Sequence, residues 1–255
     1  MPTTPDNPNR IYVGYLPAPR EHRDTVRLAL PLIMILLAIV ASLAALAQRS
    51  PGNAVWHVDT NSWTGTILAE PQPMLIVSEH QGPSVILLVA EGKHGIRERI
   101  KPFNHTTATI KGTLLERDHR RMIEVASSPD AMASVATTPD SPPREIPTPK
   151  SLGPITITGE VIDPKCYLGA MKPGEGKAHR ACAILCIQGG IPPMLLSRDA
   201  TGIPTYYLLT DAQGHAATID TVRDFVGMPT TITGTLEQLA DLHILRAESL
   251  DHAGR

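Results

Sequence analysis

Cys166, His179, Cys182 and Cys186 bring all three cysteines of the 255-residue chain close to one histidine. Thiolate sulfur and imidazole nitrogen are the donors that tetrahedral zinc and copper(I) take. The stretch from Lys177 to Gly190 predicts a helix, because Ala, Leu and Ile dominate it and a glycine pair ends it. On that helix His179, Cys182 and Cys186 stand at i, i+3 and i+7, within roughly 60° of one another on one face. Cys166 is expected at the end of a strand, a separate element, closing the ligand set from across a cleft. Asp163 is a candidate to orient a ligand from behind, although an Asp before Pro164 also makes ordinary turns. Met171 adds a thioether candidate whose other reading is packing.

Two further readings of the same residues stay open. A Cys182/Cys186 pair suits thiol-disulfide redox chemistry, and a bridge from Cys166 to either would staple a non-catalytic interaction module. Three thiols leave one over in either case. The Cys-x3-Cys pair with a nearby histidine is similar in ligands alone to Sco-type copper chaperones, whose fold is thioredoxin-like. No Cys-x-x-Cys-His occurs, so covalent haem attachment is unsupported. No Ser/His/Asp order, paired carboxylate site or phosphate-cradling glycine loop stands out, and no residue is assigned a catalytic role. His94 and His215 occupy matching polar turns, while His105, His119 and His243 read as solvated. The run Arg117-Asp118-His119-Arg120-Arg121 reads as a solvated hairpin tip.

The elements that must position the cluster are duplicated. Thr64-Gly65-Thr66-Ile67 answers Thr158-Gly159-Glu160-Val161, and residues 108–114 run without a gap against 230–236, in register to Ser127 and Ser249. The offset is 94 at Gly65/Gly159 and 122 at Gly112/Gly234, so the second copy holds 28 more residues, with the cysteines in or beside them. Alternating Thr109, Lys111 and Thr113 with Ile110 and Leu114 predicts strands with one buried face. Short strands, a small helix and mid-strand glycines predict small barrels of OB-like type. The expected class is mainly β: one N-terminal transmembrane helix, then two small OB-like β-barrel domains, the second with a Cys/His helical insertion at about residues 166–195. The domains are residues 56–127 and 155–250. Residues 128–154, rich in Pro, Ser and Thr, are expected to be an extended linker that leaves the second domain tethered rather than docked.

Residues 28–48 read as the transmembrane helix, since Leu28 to Ala47 carries no charge and matches a bilayer core in length. Pro31 is placed in its first turn. Arg10, Arg20, Arg23 and Arg27 precede it, whereas Arg49 is followed by no Lys or Arg until Lys93, which puts residues 1–27 in the cytoplasm. Ala45-Leu46-Ala47 also resembles a signal-peptidase site, so an uncleaved anchor and a cleaved signal both remain. Trp56 and Trp63 suit either a membrane interface or a core. A net charge of −2 offers no general attraction for nucleic acid. The block from Thr158 to Leu195 resembles a segment of bacterial membrane-anchored proteins of no assigned activity. The function expected is a single-pass protein of the bacterial inner membrane with a periplasmic zinc or copper site, serving metal delivery or assembly of a membrane complex.

Overall fold

A computed structural model describes residues 20–47, 52–135, 146–169 and 171–254. Most of the expected cytoplasmic segment, the residues just after the apolar helix and the middle of the expected linker therefore lie outside the described residues. Helix α1 (Arg20–Ala47) is a unit by itself, and residues 50–255 form a second. From His22 to Leu46, α1 is long and apolar enough to cross a membrane. It starts upstream of Leu28, so Pro31 sits inside the helix rather than in its first turn. Membrane helices tolerate such a proline where a neighbouring group satisfies the freed carbonyl.

The second unit is mainly β. Its elements are β1 (Val55–Leu68), β2 (Met74–Glu79), β3 (Gly82–Ala90), α2 (Arg97–Ile100), β4 (Thr107–Arg117), β5 (Arg120–Val125) and β6 (Met132–Ser134). They are followed by β7 (Lys150–Ile162), α3 (Pro164–Leu168), α4 (Arg180–Gln188), β8 (Met194–Arg198), β9 (Pro204–Thr210), α5 (Ile219–Val222), β10 (Pro229–Leu239) and β11 (Leu242–His252). Strands β1-β2-β3-β5-β4 close on themselves through β1–β4, with β6 added to β4; β7-β8-β9-β11-β10 close in the same order. In both rings the third and fifth strands run parallel and the other pairs antiparallel. This is a five-stranded barrel of OB-like type, made twice.

The duplicated register holds atom by atom. Gly65 pairs with Ala108 and Gly159 with Thr230. The hydroxyls of Thr64 and Thr109 meet at 2.8 Å, those of Thr158 and Thr231 at 3.0 Å. Gly112 and Gly234 lie where an added Cβ would run into a carbonyl oxygen of the neighbouring strand, Glu124 or Arg246. Gly234→Ala is expected to lower stability by about 1–3 kcal/mol, the usual cost of overpacking; chemical denaturation of both alanine variants would show Gly112→Ala losing a similar amount.

The barrels are docked, not tethered. From Ser84 to Val89 every residue of β3 is buried. Ile86 and Leu88 point into the first barrel with Ile67, Leu75, Ile110 and Ile123. Leu87 and Val89 point outward and join Met74, Leu115 and Met122 in a cluster shared with Ile162, Tyr167, Leu168, Met194, Leu208 and Ile244 of the second barrel. An unbroken apolar run has two buried faces, and here the second face is the interface. Burying each such side chain contributes about 1.5–3 kcal/mol, more than the freedom gained by a loose tether. Part of the expected linker is itself structured, since β6 pairs with β4 and β7 begins at Lys150.

The hairpin tips lock the docking reciprocally. Arg117 lies 3.8 Å from the Tyr167 ring centroid, and Tyr206 Oη donates to Asp118 at 2.8 Å. Burial, above all, pushes the Tyr206 hydroxyl up and keeps it a donor. The other tip presents Asp241, whose carboxylate accepts from Ser84 Oγ at 2.9 Å and Val85 N at 2.7 Å, while its carbonyl accepts from Arg120. The run from Arg117 to Arg121 is thus only partly solvated: Arg117, Asp118 and Arg120 bond to the second barrel, while His119 stays exposed and Arg121 pairs with Glu79 of its own barrel.

Candidate metal centre

The first barrel passes from β1 to β2 through residues 69–73, the second from β7 to β8 through residues 163–193. That longer passage holds the cluster. Asp163 and Pro164 open α3 as N-cap and first residue: Asp163 Oδ1 accepts from Lys165 N at 2.9 Å and Cys166 N at 3.4 Å. Cys166 therefore sits in a one-turn helix, not at a strand end, because a capping Asp before a proline starts a helix. His179 is the N-cap of α4, and Gly190 ends that helix with φ of +98°.

The loop between α3 and α4 is pinned where it leads into His179. Arg198 donates to Glu175 at 2.9 Å and to Tyr167 Oη at 2.9 Å, and Gly176 N donates to Glu160. Burial raises the Glu160 carboxyl above the usual range, with the Gly176 amide opposing it. A raised value in the folded state means that protonation favours folding: the contribution is fully present below the unfolded value and is lost as pH rises through the folded one. Glu160→Gln should accordingly melt higher than the parent at neutral pH, and the two melting curves should converge below about pH 4.

The four residues named from sequence come together in two overlapping groups. One ligand atom each of Cys166, His179 and Cys182 lie within 4.8 Å of one another; so do those of Asp163, Cys166 and Cys186. Cys166 is common to both. Asp163, Cys166, His179 and Cys186 are buried and Cys182 is half-buried. All three cysteines are free thiols. Met171 is 44% exposed, with its amide on the Cys166 carbonyl at 3.0 Å.

Two buried polar atoms here have no hydrogen-bond partner, His179 Nε2 and Asp163 Oδ2. They stand 4.0 Å apart, beyond hydrogen-bond reach. Leaving such atoms unsatisfied costs about 1–3 kcal/mol each. The cysteine pair is polarised: a hydrogen bond to Cys186, then burial, pushes the Cys166 thiol up, and that same bond, aided by the charge of Lys93, pulls Cys186 down.

Lys93 belongs to the first barrel. Its Nζ lies 2.8 Å from Cys182 Sγ and 3.5 Å from Cys186 Sγ. The contact with Cys182 raises the lysine above its usual value and holds it charged. It reaches the cluster because its loop lies against the end of α4, where Gly95 N donates to Gly189 O at 2.8 Å and only a glycine at 189 leaves room for the Lys93 carbonyl. The turn was legible in sequence as the counterpart of the His215 turn, and the two share one bond, Ala90 N to His94 O and Asp211 N to His215 O. Nothing in sequence pointed from Lys93 to the cysteines. Lys165 ties the same region together, buried against Glu124 and donating to the Ala90 carbonyl at 2.7 Å.

No family model matches the chain, and no curated protein does. Among solved structures it is similar to a deletion mutant of the single-stranded DNA binding protein from Thermus aquaticus, at 9% identity, with 82% of this chain and 92% of that one covered and a TM-score of 0.23. A likeness that loose carries no inference about ligands, and the site rests on its own residues.

Proposed function

We propose that this protein is a membrane-anchored metal-binding protein, with Cys166, His179, Cys182 and Cys186 as the ligands of one zinc or copper ion. The observation that carries the reading is the buried His179, whose Nε2 has no hydrogen-bond partner and one of whose ring nitrogens lies within 4.8 Å of the Cys166 and Cys182 sulfurs. A bound ion gives such a group the partner it lacks. Asp163 helps to place the set, since one of its oxygens caps α3 and so fixes Cys166. The Lys93 ammonium offsets the charge of a thiolate-rich centre from the solvent side.

Helix α1 holds the chain in the bacterial inner membrane, with the arginine-bearing end cytoplasmic and the barrels in the periplasm. A ligand that is only half-buried, Cys182, suits an ion that is passed on, so the proposal extends to metal delivery or assembly of a membrane complex. The test is metal analysis of the purified full-length chain. About one equivalent of zinc or copper is expected, and His179→Ala should weaken binding on the order of 100-fold. Absence of metal from a chain whose three thiols all alkylate freely, even after incubation with either ion, would refute it.

A further inference from the structure

The three sulfurs differ in a way that metal binding does not require. Cys166 and Cys186 are 6% and 1% exposed, whereas Cys182 is half-buried. Of the two sulfurs that the Lys93 ammonium reaches, Cys182 is the nearer, at 2.8 Å against 3.5 Å for Cys186. Behind it, within 4.8 Å, waits the Cys166 sulfur. An accessible thiol facing a positive charge, with a second thiol behind it, is the arrangement that reacts with hydroperoxides and then closes a disulfide.

We propose that Cys182 is a peroxide-reactive residue, that Cys166 resolves it, and that the first barrel takes part by supplying Lys93. The Cys182 thiolate, beside the Lys93 charge, attacks one oxygen of hydrogen peroxide, the O–O bond breaks, and the departing hydroxide takes a proton from solvent to leave as water. Cys182 then carries S–OH. The Cys166 sulfur attacks the Cys182 sulfur, the S–O bond breaks, and the thiol proton leaves with the hydroxide as a second water. Two thiols lose two electrons to form one disulfide, and one peroxide is reduced to two waters.

The consequence for the centre rests on the metal reading. The Cys166–Cys182 bridge removes two of the four ligands and leaves His179 and Cys186, too few to retain zinc. Peroxide would therefore release the ion, and reduction would restore the site. The disulfide chemistry itself needs no metal.

The experiment uses the full-length chain in detergent, metal-stripped in one arm and zinc-loaded in the other, with hydrogen peroxide as the probe. Peptide mapping without reductant should give a Cys166–Cys182 cross-link as the main product, reversed by dithiothreitol. In Cys166→Ser, a sulfenic-acid trap should mark Cys182. Lys93→Met should slow the reaction on the order of tenfold, the size of one charge-assisted hydrogen bond, and Lys93→Arg should restore most of the rate. A cross-link or sulfenic acid found first at Cys186 would overturn the proposal, as would a rate indifferent to residue 93. If zinc never binds but the cross-link forms as described, the metal reading falls and this one stands. If zinc binds and peroxide leaves both ion and thiols in place, the reverse holds.

Discussion

Cys166→Ser is expected to leave the purified chain with less than about a tenth of an equivalent of metal, while Cys186→Ser keeps part of its metal at lower affinity. The difference follows from the two overlapping groups of ligand atoms. Cys166 belongs to both, so its loss dismantles each, whereas loss of Cys186 leaves Cys166, His179 and Cys182 together. Serine is close to cysteine in size, and α3 keeps its Asp163 cap, so the fold should survive. Metal content and far-UV circular dichroism on the same samples separate a lost ligand from a lost fold. Full metal content in Cys166→Ser would mean that the ion sits on the α4 side chains alone.

Tyr167→Ala should cost about 3–5 kcal/mol and lower the melting temperature on the order of 10 °C. The ring is 1% exposed between the barrels, where it meets Arg117 face-on, Tyr206 edge-on at 6.0 Å between centroids, and Arg198 through its hydroxyl. Truncation opens a cavity there and strands two arginines beside it. Tyr167→Phe keeps the ring and should lose far less. A loss below about 1 kcal/mol in the alanine variant would mean that the barrels do not pack on each other in solution. The change lies next to Cys166, so the variant should also bind metal less tightly, by titration against a competing chelator.

The strand register was readable because each β4-type segment alternates threonine with aliphatic residues, and Gly112 and Gly234 mark the same crowded point in both copies. Period-two alternation reports one buried face directly. The docking was harder to see because Val85 to Val89 does not alternate: an unbroken apolar run says that both faces are covered without naming the cover. A proline-rich connection drew attention to a tether, but linker composition has no bearing on whether the flanking barrels have complementary faces. Strand β8, Met194–Arg198, went unread for the same reason, its three apolar residues being too short a run to show a period.

Of the site, α4 was legible from its Ala, Leu and Ile and the glycine pair after it, but it starts at Arg180, so His179, expected within it, is its cap. Cys166, expected at a strand end, sits in α3. The Asp163-Pro164 pair that reads as a turn also fits the cap and first position of a helix, and here it is that. Lys93 was not legible at all, since it comes from the other copy and its approach depends on an interface that pattern alone does not predict.

If one ion takes sulfurs from α3 and α4 and an imidazole from the α4 cap, X-ray absorption at the metal edge of the purified full-length chain should show about one ion per chain, with a first shell of sulfurs at about 2.3 Å and one imidazole nitrogen at about 2.0 Å if the ion is zinc, the nitrogen vanishing in His179→Ala. A shell made of light atoms alone, unchanged in that variant, would overturn the proposed ligand set.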